Sequence, residues 1–170
     1  MALTVRRAMG EPAAFAWRFG KFHAYTYTAS PNLEKNTHPL YEFTKRRWNT
    51  RSEPLWVSVI AKKHTGIHNS RCVRSWLSRR LRIAVNLSLK KNGYAPDGTR
   101  LEGPESGNHL WGTAQFLAEQ PMIKMSQEQV QEQTDKAVLE IIRLQEPKVK
   151  KVKSGSKSPS KNPPELEKAQ

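Results

Sequence analysis

Four arginines, Arg71, Arg74, Arg79 and Arg82, recur along a stretch whose apolar residues have helical spacing. On a helix they would form one charged face. The planar guanidinium fork suits bidentate contact with phosphate oxygens. Lys90 and Lys91 extend this run, Lys62 and Lys63 precede it, and a second cluster (Lys45, Arg46, Arg47 and Arg51) lies upstream. Between Glu53 and Asp97 the chain has no acid, so these cations lack the i,i+4 partners of an ordinary solvated face. The chemistry expected is neutralisation of a phosphate backbone, which releases counterions and supplies affinity without reading sequence.

Aromatic residues near the basic clusters add a second possibility, since an exposed ring can stack an unpaired base. Tyr25, Tyr27 and Trp48 have polar or basic neighbours and are the stacking candidates. Most other aromatics, Trp17, Phe19, Phe22 and Trp56 among them, are expected in the core. No RNP1-like octamer is present, so the ordinary RNA recognition motif is not indicated. Catalysis has little footing. His64, His68 and Cys72 amount to a partial zinc set without a fourth ligand, and Gly66 argues against a helix between the histidines. The chain has no Gly-rich phosphate loop, no Gly-x-Ser-x-Gly and no paired carboxylates in an apolar setting. No catalytic residue, metal or cofactor is therefore expected.

The elements that must position these residues follow from periodicity. Residues 70–92 read as a helix: at 100° per residue Val73, Trp76, Leu77, Leu81, Ala84 and Leu87 share a face, opposite the arginines. Gly93 suits its C-terminal cap. A second helix starts at Ser126, whose spacing to Gln129 has capping-box form, and repeats apolar residues at Val130, Ala137, Val138, Ile141 and Ile142. Strands are expected over residues 17–28, 54–63, 109–119 and, briefly, 122–125, with a loop over 30–39. The order β-β-α-β-β-α predicts an α+β two-layer sandwich. It would have a three- to four-stranded, mainly antiparallel sheet with two helices on one face, in a ferredoxin-like or permuted arrangement.

Composition sets the limits. Of 170 residues, 29 are Lys or Arg and 15 are Asp or Glu, for a formal charge of +14. No apolar run is long enough for a transmembrane helix, so no membrane partner is expected. The single Cys excludes an internal disulfide framework. Residues 1–16 read as a flexible N-terminal segment, 17–145 as the basic domain, and 146–170 as a disordered Lys/Ser/Pro-rich tail. That tail holds Lys150, Lys151 and Lys153 in the form of a nuclear-import signal. It also holds Ser158 before a proline, a possible phosphosite whose modification would weaken contact with a phosphate backbone.

Together these features predict a noncatalytic RNA-binding subunit of a ribonucleoprotein, nuclear or nucleolar, acting in processing or assembly of a structured RNA such as rRNA. Its partners would be that RNA and other protein subunits. Arg6, Arg7 and Arg18 in an acid-poor N-terminus leave a mitochondrial ribosomal protein as an alternative. A DNA or chromatin factor is a further one.

Overall fold

A computed structural model describes residues 5–26, 29–61, 70–101 and 109–145. Residues 146–170, with the import signal and Ser158, lie outside the described residues, as do Tyr27, Lys62, Lys63, His64 and His68. Among the described residues, four strands form one sheet in the order β1-β2-β4-β3: β1 (Val5–Arg7), β2 (Phe15–Gly20), β3 (Leu55–Ile60) and β4 (Gly112–Ala118). The β1/β2 and β2/β4 pairs are antiparallel and the β3/β4 pair is parallel. Four α-helices accompany them: α1 (Ser30–Glu34), α2 (Tyr41–Asn49), α3 (Arg71–Lys91) and α4 (Gln127–Gln145). None is long and apolar enough to cross a membrane. The architecture is the mixed α+β one, mostly antiparallel, that the periodicity indicates. A ferredoxin-like sheet splits each β-α-β unit with an intervening strand. Here β3 and β4, joined through α3, pair directly, so the connectivity is different.

Alternation sorts the strand residues onto two faces. Phe15, Trp17 and Phe19 of β2 align through the register with Phe116 and Ala114 of β4 and with Val57 and Val59 of β3. This face packs with Leu77, Leu81, Ala84, Val85 and Leu89 of α3 and with Val130, Ala137, Val138 and Ile141 of α4 in one core. Phe15 and Phe116 meet edge-on, 5.9 Å between centroids. Each such buried side chain contributes about 1.5–3 kcal/mol of transfer free energy. The other face carries Arg18, Gln115, Ser58 and Trp56. Trp56 joins Trp48 of α2 and Ala29 and Leu33 near α1 in a second, smaller core.

Several boundaries differ from the periodicity reading for identifiable reasons. β1 and the buried Ala8 and Ala14 tie residues 5–16 into the domain, where a flexible segment was expected. Three residues are too few to show alternation. The strand expected over 17–28 stops at Gly20 because the Thr113 hydroxyl replaces the ladder: it accepts from Ala24 N at 2.8 Å and donates to Phe22 O at 2.9 Å. β4 begins at Gly112, whose φ is +122° and where any Cβ would collide with the Gly20 carbonyl. The expected loop over 30–39 contains α1, since Pro31 is compatible with a first helical turn. α2 shows little periodicity because it buries only Thr44 and Trp48. The expected strand at 122–125 is instead a 3-10 turn, Gln120–Ile123, entered at Pro121. On α3, Trp76 and Leu87 are exposed rather than in the core. The capping box forms as read: Gln129 N donates to Ser126 Oγ at 3.2 Å, and Ser126 N donates to Gln129 Oε1 at 2.9 Å.

Two polar ties close the core. Gln133, buried on α4, accepts from Ala14 N at 2.8 Å and donates to Pro12 O at 3.0 Å. Asp135 joins α4 to α3 by accepting from Lys91 Nζ at 2.7 Å, and it also accepts from Gln131 at 2.8 Å. Burial pushes the Asp135 carboxyl up, but these hydrogen bonds outweigh it and hold it below the usual carboxylate range. Its stabilising contribution is therefore complete above the unfolded value, about 3.9. It is lost as pH falls through the lower folded value.

Gln133→Leu is expected to cost about 1–3 kcal/mol by orphaning the buried Ala14 N–H, and to speed amide exchange at residues 8–14. Asp135→Ala is expected to lower the melting temperature at pH 7. The gap to the parent protein should shrink by pH 3.

Candidate nucleic-acid interface

The basic clusters are placed by the second core. Burial of Thr44 and Trp48, one turn apart on α2, turns Lys45, Arg46 and Arg47 outward, and all three are exposed. Thr50 Oγ1 donates to the carbonyls of Arg46 and Arg47, both at 3.1 Å, and closes the helix. Five rings then run in a row. Trp111 lies 4.3 Å from His23, and His23 stacks on Trp56 at 4.2 Å with planes 7° apart. Trp56 contacts Trp48 at 4.6 Å, and Trp48 meets Tyr25 edge-on at 5.6 Å. The Arg51 guanidinium lies 4.8 Å from the Trp48 ring and 4.9 Å from the Trp56 ring, and its Nε donates to Glu53 at 3.0 Å. The row joins the loop after β2, α2, β3 and the residue before β4, at about 0.5–1.5 kcal/mol for each aromatic pair.

Beside this row lies a groove of about 610 Å³. Its floor is Val57, Ser58 and Val59 of β3, which is an edge strand among the described residues. One wall is α2, with Phe43, Arg47 and Trp48, and α3 contributes Arg82. Arg47 and Arg82 thus converge from the two basic clusters. Neither has a carboxylate partner among the described residues. The acid lining the groove, Glu53, is already engaged: the hydrogen bond from Arg51 holds its carboxyl below the usual range. The groove therefore keeps a net positive charge at neutral pH. Comparison of the chain with protein-family models, with curated proteins and with solved structures finds no match. The chemistry of the groove rests on its own residues.

The structure separates the candidate phosphate contacts into groups. Arg47 and Arg82 line the groove, and Arg51 lines it while paired with Glu53. Lys45 and Arg46 are exposed on α2, with Lys45 Nζ 5.3 Å from the Tyr41 ring. Arg71 is exposed at the start of α3 and Arg74 is half-buried. Arg79 and Lys90 are exposed, whereas Lys91 is drawn to Asp135. Of the stacking candidates, Tyr25 is 52% exposed, but Trp48 is 8% exposed and covered by Tyr25, Trp56 and Arg51. Trp48 is a core residue. Trp111, also 52% exposed and in contact with His23, is a second exposed ring on this side, one not among the stacking candidates read from the sequence. Its signal was the lone Trp after an apolar Leu110, hidden inside an expected strand. Cys72 is exposed on the first turn of α3.

Trp48→Ala is expected to destabilise the domain by about 3 kcal/mol, while Arg47→Ala leaves thermal stability within about 0.5 kcal/mol. Urea unfolding of both variants checks this.

Proposed function

We propose that the protein is a noncatalytic RNA-binding subunit that holds a phosphate backbone in the groove between α2 and β3. The observation that carries this reading is the convergence of Arg47 and Arg82. They lie 35 positions apart in the chain and face one groove without carboxylate partners among the described residues. Arg71, Lys45 and Arg46, exposed on the same two helices, supply further cations. Phosphate oxygens are the acceptors that unpaired guanidinium groups lack. The exposed rings of Tyr25 and Trp111 stand at the two ends of the aromatic row. They favour RNA with unpaired bases over a regular duplex, because splayed bases stack on such rings. A structured RNA with loops, such as rRNA or a stable noncoding RNA, fits both features. A role in ribonucleoprotein assembly, in the nucleus or nucleolus, agrees with the import-like lysines Lys150, Lys151 and Lys153.

The test is affinity for a stem-loop RNA over a salt series. Arg47→Ala and Arg82→Ala are each expected to reduce the slope of log affinity against log salt by about 1. Tyr25→Ala and Trp111→Ala should weaken binding to the looped RNA by about 1–3 kcal/mol for each stacked base lost without changing that slope. An unchanged slope in both arginine variants would remove the groove from consideration as a phosphate site.

A further inference from the structure

α3 carries a second surface, on the flank turned away from Arg82. Trp76, Ile83 and Leu87 are 48%, 49% and 52% exposed. Their spacing of seven and four places them along one side of the helix, over about 16 Å at 1.5 Å per residue. Opposite them stand Ile123 and Met125, from the segment leading into α4, and between the two walls runs a groove of about 650 Å³. An apolar strip of this kind on a chain with formal charge +14 is not a solvated helix face.

Arg80 ties the two walls of the groove together. Arg80 donates to Met122 O at 2.9 Å, Met125 O at 2.7 Å and Gln127 Oε1 at 2.7 Å. Its guanidinium lies 5.2 Å from the Trp76 ring. One arginine thus locks both walls and holds the indole in place, which reduces the ordering cost of binding. Trp anchors set in preformed surroundings are what interface hot spots are made of.

We propose that this flank of α3 docks an amphipathic helix from a partner protein, one whose apolar ridge is bordered by Asp and Glu. The shape calls for a helix-in-groove mode, since i, i+7, i+11 apolar positions match a facing helical ridge. The charge selects the partner. Among the described residues that line the groove none is acidic, and Arg79 and Arg80 line it. Lys90 is exposed about one turn beyond Leu87 and Lys124 is exposed next to Ile123, against one exposed acid, Glu128, next to Gln127. A second copy of this chain would set its own Arg79 side against the same basic border in an isologous contact, at a repulsive cost. Residues 146–170 are rich in Lys and meet the same repulsion. A phosphate backbone would meet Arg79 at the border but would leave the apolar ridge of Trp76, Ile83 and Leu87 uncovered. The surface is thus separate from the Arg47 and Arg82 groove, and one chain could hold RNA on one flank of α3 and protein on the other.

The test is selection of helical peptides from a displayed random library on the full-length chain. The expected winners repeat apolar residues at i, i+4, i+7 and i+11 with flanking Asp or Glu. Trp76→Ala and Leu87→Ser should weaken them at least tenfold, while Arg82→Ala binds them as the parent does. Recovery of peptides without flanking acids, no recovery, or peptides indifferent to both Trp76→Ala and Leu87→Ser would overturn the proposal. So would sedimentation showing a homodimer that Ile83→Glu dissociates, which would make the strip a self-interface.

Discussion

The packing of α3 on the sheet governs most of what this protein presents to solvent. Leu77, Leu81, Ala84, Val85 and Leu89 are buried against the face that carries Phe15, Trp17 and Phe116, and that burial sets the rotation of a 21-residue helix about its axis. Once the rotation is set, so is the direction in which each remaining side chain leaves the helix. Arg82 is delivered to the groove beside β3, Arg79 to the crest, and Trp76, Ile83 and Leu87 to the flank facing Met125. A helix rolled by one position would exchange these roles. The apolar residues buried in the core are thus also the ones that decide which cations meet a ligand.

The cations themselves divide by environment. Arg6 pairs with Glu140 and lies 5.5 Å from the Trp17 ring, Arg51 pairs with Glu53 against two indoles, and Lys91 pairs with Asp135. Arg80 binds two carbonyls and an amide oxygen instead, and burial lowers its pKa from the ordinary arginine value. These are structural cations, whose donors are used within the fold. Arg47 and Arg82 are exposed and have no carboxylate partner among the described residues. In a chain with 29 basic residues, partner status says more about function than number does, because a satisfied guanidinium has little to offer a phosphate.

The aromatic row shows how a small domain compensates for limited core volume. α2 buries only Thr44 and Trp48, too little to hold it by apolar area alone. The tilted contact of Trp48 with Trp56, and the stacking of Trp56 on His23, secure it together with the Arg51 cation beside the two indoles. The same contacts hold Arg47, one residue before Trp48, at the groove. Stability of the second core and presentation of the arginines are therefore one property.

By itself the sequence determined the long elements and the sign of the surface. Helices α3 and α4, the capping box at Ser126 and the strand cores of β2, β3 and β4 were legible because each repeats its apolar residues over several periods. The acid-free stretch between Glu53 and Asp97 was equally plain. Tertiary structure decided the rest. α2 and β1 could not be read because one is held by a single tryptophan and the other by three residues paired to β2. The parallel pairing of β3 with β4 is a contact between segments more than 50 positions apart, which local pattern does not encode. Trp48 looked available for stacking because basic neighbours surround it in the chain, and folding places Tyr25, Trp56 and Arg51 over it instead. Trp76 and Leu87 looked buried because period alone does not show how wide the covered face of a helix is. Period tells which residues lie side by side. Only packing tells which of them are covered.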